Sequence, residues 1–246
     1  MKRRSLVLLP LLLAARGVSA QLALTGAGKK PAAGAPPGLW DDFEDNSKDT
    51  SKWAGTTINP GWSALTIDGT VAETGGKVEM SIGTASRIHG YSSNNTHDLN
   101  EKYIAVHLSN FDVNAVAQTR FSFGCWNGTS EYTQWNVFNN FGTLTVNAQY
   151  NNSGAQGTLW SATYSATDHA WFRIREIAGD WYWDTAPDNA GVPGTWVNRR
   201  QRTVDGGSVP AHWNPAAGTT RFGFYTQTGS NVTALCRAAA FDTDAA

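Results

Sequence analysis

Residues 171–183 read WFRIREIAGDWYW, and the fold class is predicted from the pattern of these residues. On either side of Ala178-Gly179-Asp180, successive side chains alternate in character with a period of two, which is typical of a β-strand and not of a helix. A glycine between two such runs indicates a tight reversal of the chain. The stretch therefore predicts a β-hairpin with a three-residue turn.

A three-residue turn places Ile177 opposite Trp181 and Arg175 opposite Trp183. One face of the predicted hairpin then carries Trp171, Arg173, Arg175, Ile177, Trp181 and Trp183. The other face carries Phe172, Ile174 and Tyr182, which suit a hydrophobic core, with Glu176 and Asp184 at its margins. We expect the face with the arginines and tryptophans to point outward.

The alternation recurs along the chain, whereas apolar residues at helical spacing are nearly absent. Strands are predicted at 78–82, 103–109, 119–126, 132–138, 144–150, 158–164, 171–177, 181–185, 195–202, 221–226 and 234–241. Turn residues separate them, and no helical crossover allows a parallel sheet. With 246 residues, 41% of them hydrophobic, the chain can bury one sizeable core. The predicted fold class is all-β, an antiparallel two-sheet jelly-roll β-sandwich over residues 39–246.

The first 38 residues differ in composition from the rest. Residues 1–20 have a basic start, an apolar run and a small-residue end, which is the pattern of a secretory signal peptide. Residues 21–38 are rich in Ala, Gly and Pro and predict a linker. An apolar arm, LTGAG and a small-residue linker also resemble the N-termini of some bacteriophage virion proteins. We therefore expect an extracellular protein, either secreted or displayed on a virion and held there by this arm.

The hairpin resembles one found in the concanavalin A-like lectin/glucanase superfamily, including its LamG-like members. The matching residues are Trp171-Phe172-Arg173-Ile174-Arg175 and Trp181-Tyr182-Trp183, flanked by WDDFEDNSKDTSKW near the start of the domain and AAAFD near its end. Where relatives often continue with a compact turn, this chain has the longer TAPDNAGVPGTW. The resemblance implies a β-sandwich, and it includes both hydrolases and non-catalytic lectins.

Glycoside hydrolysis generally needs a pair of carboxyl groups. Retaining glucanases of this superfamily carry Glu-x-Asp-x-x-Glu on one strand, and the chain has no such spacing. The alternative pair is Glu176 and Asp184, diagonal across the predicted hairpin at about 7–8 Å between backbones, a separation within the range of inverting hydrolysis. The other interpretation is that these two acids are ion-pair partners of arginine or solvated strand ends. The favoured expectation is no catalysis, with a secreted polysaccharide hydrolase as the alternative.

Binding of a carbohydrate or cell-surface glycan fits the composition better. Sugar rings stack on indoles while polar side chains bind their hydroxyl groups. The candidate glycan-binding residues are Trp135, Arg173, Arg175, Trp181 and Trp183, and a surface ladder of stacked arginines is the alternative role for the hairpin residues. Nineteen basic and twenty acidic side chains give a net charge of -1, which does not favour nucleic acid.

A structural calcium ion follows from the resemblance, since related sandwiches often join their first and last strands with one. Asp42 and Asp242 are the predicted ligands, with Asp41 and Glu44 near Asp42. The two cysteines, Cys125 and Cys236, lie in strand-like runs and either form one disulfide in an exported protein or remain buried free thiols.

Overall fold

The computed structural model describes residues 41–54, 69–82, 87–94, 97, 99, 101–111, 118–127, 131–152, 154–203, 220–228 and 234–245. The predicted leader, the linker and the start of the domain, residues 1–40, lie outside these ranges. For 234–245 only the backbone is described. No helix long and apolar enough to cross a membrane occurs in the described ranges.

The described residues form fifteen β-strands. They are β1 (Gly69–Glu73), β2 (Val78–Ile82), β3 (Arg87–Ser92), β4 (Lys102–Phe111), β5 (Gln118–Asn127), β6 (Glu131–Asn140), β7 (Thr143–Asn152), β8 (Ala155–Thr163), β9 (Trp171–Ile177), β10 (Asp180–Ala186), β11 (Asp188–Asn189), β12 (Val192–Pro193), β13 (Val197–Thr203), β14 (Arg221–Thr228) and β15 (Ala234–Ala245). Residues 41–54 consist of turns and isolated bridges.

The strands form two large antiparallel sheets that pack face to face. One has seven strands in the order β1-β2-β15-β4-β9-β10-β13, and the other has six in the order β3-β14-β5-β6-β7-β8. β11 and β12 form a small hairpin inside the TAPDNAGVPGTW segment. The predicted all-β, antiparallel two-sheet sandwich is confirmed. Each strand predicted from the alternation corresponds to an observed strand.

Four hairpins have the same type of turn. In each, the strands are joined by two residues that end in glycine, so that Asn140 pairs with Thr143, Asn152 with Ala155, Ile177 with Asp180 and Asn189 with Val192. In each, the glycine N–H donates to a carboxylate or amide oxygen three residues earlier, in the pairs Gly142–Asn139, Gly154–Asn151, Gly179–Glu176 and Gly191–Asp188. These glycines have φ between 85 and 98°, which is the left-handed region that glycine tolerates.

The Ala178-Gly179 turn corrects the predicted hairpin. The turn has two residues and not three, with φ of 52° at Ala178 and 89° at Gly179. A shift of one residue moves every side chain of the second strand to the opposite face. Trp181 and Trp183 therefore point into the core, where they are 1% and 0% exposed, and Tyr182 points outward. The expected outward orientation of the two tryptophans is wrong.

Two indole N–H groups join the sheets across the core. Trp183 Nε1 donates to Thr133 Oγ1 on β6 at 3.0 Å, and Trp135 Nε1 on β6 donates to the carbonyl oxygen of Arg173 on β9, also at 3.0 Å. Trp135 is therefore a core residue and not a sugar platform, which corrects a second expectation. Cys125 is a free thiol in the same core, and burial raises its pKa, so it is protonated. This agrees with the alternative in which the cysteines remain buried free thiols.

We expect Trp183→Ala to lower the free energy of unfolding by about 3–5 kcal/mol, because it empties an enclosed site and removes a hydrogen bond between the sheets. Tyr182→Ala is the matched control on the outer face of the same strand, with an expected loss of about 1 kcal/mol. Urea denaturation followed by circular dichroism measures both. Equal losses would mean that the two faces of β10 are assigned the wrong way round.

Candidate functional site

The outer face of the hairpin holds a buried carboxylate between two arginines. Asp184 is 1% exposed, and its Oδ2 accepts from Arg173 Nε at 2.9 Å and from Arg175 Nε at 2.7 Å. Arg173 contributes a second contact through Nη2 at 2.8 Å, and Asn198 Nδ2 donates to Oδ1 at 2.9 Å. The arginines and the carboxylate thus satisfy one another within the protein.

The same arginines lie flat on two aromatic rings. The guanidinium carbon of Arg173 is 4.2 Å from the centroid of Trp196, and that of Arg175 is 4.2 Å from the centroid of Tyr182. These side chains form a stacked ladder on the sheet surface, in the order Trp196, Arg173, Asp184, Arg175 and Tyr182. The sequence correctly placed Arg173 and Arg175 on the outer face, and their contacts agree with the surface-ladder alternative, with Tyr182 and Trp196 as the rings.

Glu176 lies on the opposite face of the hairpin from Asp184, because it pairs with Trp181 while Asp184 pairs with Arg173. Its two carboxylate oxygens accept from the backbone N–H groups of Gly179 and Glu101, the second at 2.7 Å. The sheet therefore separates the two acids that were the candidate catalytic pair. The geometry predicted for this pair is wrong, and its cause is again the length of the turn.

We expect Asp184→Asn to destabilise the fold by about 2–4 kcal/mol, because two half-buried guanidinium groups lose the charge that neutralises them. The partial exposure of the arginines places the loss at the lower end of the range for buried pairs. Denaturant midpoints of this variant and of Asp180→Asn, an acid at the start of the same strand, measure the effect. A fully stable Asp184→Asn protein would contradict the structural role.

A second surface is the outer face of the six-stranded sheet, which we call the amide face. The strand registers arrange its side chains in four rows across β14, β5, β6 and β7. The rows are Gln227–Arg120–Phe138–Thr145, Tyr225–Ser122–Asn136–Asn147, Gly223–Gly124–Gln134–Gln149 and Arg221–Trp126–Tyr132–Asn151. They point away from the core because Thr133 and Trp135, which alternate with them, bind residues of the other sheet.

Hydrogen bonds connect the centre of the amide face. Asn136 Oδ1 accepts from Ser122 Oγ at 2.6 Å and from Gln134 Nε2 at 3.0 Å. Asn136 Nδ2 donates to Asn147 Oδ1 at 3.1 Å and to Gln149 Oε1 at 2.9 Å. Tyr225 Oη donates to Gln134 Oε1 at 3.1 Å. The network fixes the amide orientations before any ligand binds.

Exposure divides this face into a closed centre and an open margin. Ser122, Gln134, Asn136 and Tyr225 are buried, whereas Asn147 and Gln149 on β7 are half-buried. The row of Gln227, Arg120, Phe138 and Thr145 is half-buried as well. Ligand groups can therefore reach the face along the β7 column and along that row.

β6 also carries amides at the spacing that the glucanases use for carboxylates. Gln134-Trp135-Asn136-Val137-Phe138-Asn139 places Gln134 and Asn136 on the amide face. Asn139 points the other way and accepts the Gly142 N–H at 2.8 Å. An amide neither gives up nor accepts a proton at neutral pH, so these side chains can form hydrogen bonds but cannot perform acid–base chemistry. The alternation of residues 132–138 was the available signal for this face, but the residue predicted to bind glycan was Trp135, which alternates with the amides and points into the core.

The predicted calcium ligands are Asp42, in the turns near the start of the described residues, and Asp242 on β15. Asp41 is committed to the protein, because its carboxylate accepts from Trp53 Nε1 at 2.7 Å and from the Phe43 N–H at 3.0 Å. Asp42 Oδ1 accepts from the Glu44 N–H at 3.3 Å. Among the described side chains there is no group of three Asp, Glu, His or Cys residues that could hold a metal ion. Asp242 pairs through its backbone with Ala105, and its side chain lies outside the described set, so calcium stays a prediction that a calcium-dependent melting temperature tests.

An unusual acid lies near Asp41. Glu73, at the end of β1, is buried, and this burial, with a smaller contribution from the carboxylates of Asp41 and Asp45, raises the pKa of Glu73 to about 7. The neighbouring Tyr91 hydroxyl is also buried, which raises its pKa. Glu73 therefore changes its charge near neutral pH, unlike an ordinary glutamate.

We expect Glu73 to contribute a loss of stability as the pH rises from about 4.5 to about 7. In this window the folded protein holds a proton on Glu73 that the unfolded chain has released, so raising the pH favours unfolding. Glu73→Gln is neutral at every pH and should remove this part of the slope. Melting temperatures of both proteins at pH 5, 6 and 8 measure it, and parallel curves would contradict the assignment.

The comparisons with known proteins show the fold. By sequence, the chain matches no family model and no curated protein. In structure it is similar to the GH43 BlXynB protein of Bacillus licheniformis, with a TM-score of 0.52 and 16% identity over 85% of this chain and 39% of that one. This chain thus spans about two fifths of that protein's length.

Two smaller proteins are similar over nearly their whole length. The CBM2 module of the evolved Dit of Lactobacillus casei BL23 phage J-1 has a TM-score of 0.55 and 14% identity over 82% of this chain and 93% of that one. A protein from work on endo-acting O-glycanases of the human gut microbiota has a TM-score of 0.60 and 9% identity over 84% and 98%. At these identities the similarity establishes a shared β-sandwich fold and does not assign a function.

Proposed function

We propose that this protein binds glycans through the amide face and does not cleave them. The observation that carries the proposal is the chemistry of that face: amides, hydroxyls and aromatic rings line it, and the four rows contain no Asp, Glu or His. Side chains of this kind form hydrogen bonds with sugar hydroxyl groups without supplying a proton donor or nucleophile.

The margin of the face is suited to ligand contact. Within the described residues, the oxygens of Asn147 and Gln149 accept from Asn136, which leaves their NH₂ groups for other partners. Because Asn136 holds both amides in place, a sugar that binds there orders few protein groups, which reduces the entropic cost of binding. The similarity to a phage CBM2 module and to carbohydrate-active enzymes supports a carbohydrate ligand.

The hydrolase alternative has no specific support in the geometry. Glu176 caps a turn and Asp184 neutralises two arginines, and the two lie on opposite faces of their sheet. Release of reducing sugar from a β-glucan panel, above the level of heat-inactivated protein, would overturn the non-catalytic proposal.

The setting of this binding domain is also part of the proposal. The signal-like residues 1–20 and the following linker favour display outside the cell or on a virion, and residues 1–40 lie outside the described ranges. Intact-mass measurement of the native protein tests the two versions, because a mature start at Gln21 supports secretion and excludes the virion arm.

We expect the double substitution Asn147→Ala and Gln149→Ala to weaken glycan binding by about 1–3 kcal/mol, because each side chain contributes an amide to the open margin of the face. A glycan array with the full chain identifies the ligand, and titration calorimetry then measures the loss.

The control for that experiment is Asn189→Ala, which removes an exposed amide from the β11–β12 hairpin. It should bind as the unmodified protein does. Unchanged binding by the double variant, with the same melting temperature, would place the glycan site elsewhere.

A further inference from the structure

Strand β13 forms one edge of the seven-stranded sheet. It pairs with β10 along one side, and no other described strand pairs with its second side. An edge strand directs the N–H and C=O groups of every second residue away from its single neighbour. β13 therefore presents a template on which an extended segment of another chain can pair.

The charge of β13 sets it apart from the rest of the chain. It carries Arg199, Arg200 and Arg202 and no acid, whereas the whole chain has a net charge of -1. Within the described residues, none of these arginines forms an ion pair. The acids opposite them on β10 bind uncharged residues of β13 instead, in the pairs Asp180–Gln201 and Asp184–Asn198.

Two of the arginines lie on the inner side of the sheet. Arg200 pairs with Trp183 and Arg202 with Trp181, and both tryptophans point into the core. Each arginine is half-buried, and its Nε atom is buried without a hydrogen-bond partner in the described part of the chain. Buried donors in folded proteins are nearly always paired. These two Nε–H groups therefore indicate acceptors that the described residues do not supply.

Arg199 has a different role. Its Nε donates to Thr185 Oγ1 at 2.9 Å, and its guanidinium carbon lies 5.4 Å from the centroid of the Trp160 ring on β8. It is therefore committed to contacts within the protein. Arg200 and Arg202 remain as a pair of cations on one side of the strand, separated by about 7 Å along it.

An acidic strand satisfies both features of this edge. Its alternate side chains have the same spacing as Arg200 and Arg202, so two carboxylates can lie directly opposite the two guanidinium groups. Its backbone fills the unpaired side of β13. Val197, on the same side of β13 and 41% exposed, adds an apolar contact. An acidic polysaccharide would neutralise the arginines but would leave the backbone groups of the edge unpaired.

A second copy of the same strand does not fit this edge. Antiparallel pairing of two copies about Gln201 would place Arg200 of one copy opposite Arg202 of the other. Like charges directly opposite one another destabilise a strand pair, and cations on edge strands prevent association of identical edges. The partner must therefore be a different, acidic segment.

We propose that β13 is a docking edge for a partner protein that contributes an extended segment with acidic side chains at alternate positions. The segment adds to the seven-stranded sheet as a further strand, with two carboxylates on Arg200 and Arg202 and an apolar side chain against Val197. This inference is independent of the proposed glycan site, which lies on the other sheet.

The test titrates the full chain with a capped synthetic peptide in which glutamate alternates with threonine and valine. We expect binding, and slower hydrogen exchange of the backbone amides of residues 197–203 in the complex, because the added strand pairs with them. The same peptide with glutamine in place of glutamate should bind about tenfold more weakly, since it forms no ion pairs. Of two glutamate peptides N-methylated on alternate residues, the one that blocks the edge facing β13 should not bind.

Substitutions in the protein test the same contacts. The double variant Arg200→Gln and Arg202→Gln should bind the glutamate peptide about tenfold more weakly and the glutamine peptide unchanged. The matched control is Lys48→Gln with Lys77→Gln, which removes two positive charges far from β13: Lys77 lies in the turn between β1 and β2, and Lys48 lies over Tyr91 on β3. The peptide comparison uses the unmodified protein, so it tests the proposal even where the arginine variant fails to fold.

The outcomes are distinct. An absence of binding at about 1 mM glutamate peptide, or equal binding of the glutamate and glutamine peptides, would overturn the acidic docking edge and leave β13 as an edge that only repels other chains. Binding without slower exchange in residues 197–203, or equal displacement by polygalacturonate at the same carboxylate concentration, would show recognition of charge alone and overturn strand addition. Glycan binding by the amide face is unaffected by each of these results.

Discussion

The hydrogen bond between a turn glycine and a carboxylate or amide three residues before it determines much of this structure. It fixes a two-residue reversal, and a two-residue reversal fixes which side chains of the returning strand face the core. In the β9–β10 hairpin, the bond from Gly179 to Glu176 places Trp181 and Trp183 between the sheets and Asp184 outside. The same bond in two other hairpins sets the registers of β6, β7 and β8, and with them the rows of the amide face.

The two outer faces of the sandwich have opposite chemical characters. On the seven-stranded sheet, Arg173, Arg175 and Asp184 cancel one another and are stacked on aromatic rings, so their bonding capacity is used within the protein. On the six-stranded sheet, a buried amide network orients a margin whose groups retain capacity for a ligand. The first face carries more charged side chains. The second face has more hydrogen-bonding groups that are not used within the protein, so it is the better candidate for ligand binding.

The sequence was sufficient for the fold because period-two alternation survives in nearly every strand. It was insufficient to assign the two faces of each strand, because alternation does not say which of the two alternating sets of side chains is buried. In β6, one set contains Thr133, Trp135 and Val137 and the other Tyr132, Gln134 and Asn136, and hydrophobicity alone does not separate a core from a polar binding face. The register predicted for the β9–β10 hairpin was wrong for a different reason. A left-handed conformation at Ala178 is unfavourable by itself. The hydrogen bond from Gly179 to Glu176 that stabilises the turn was not recognised in the pattern Glu-x-x-Gly.

The position of β15 has a consequence for how the molecule folds. This strand follows every other described strand in the chain, yet it lies between β2 and β4 in the interior of the seven-stranded sheet. Until it is added, β2 and β4 each present an unpaired edge, and the sheet exists as two separate pieces. Contacts between residues so far apart in the chain are associated with slow folding, and a ribosome-bound chain that lacks β15 cannot complete this sheet. Completion of the sandwich therefore waits until β15 has been synthesised, and the two open edges are the surfaces through which a chain that lacks β15 would aggregate.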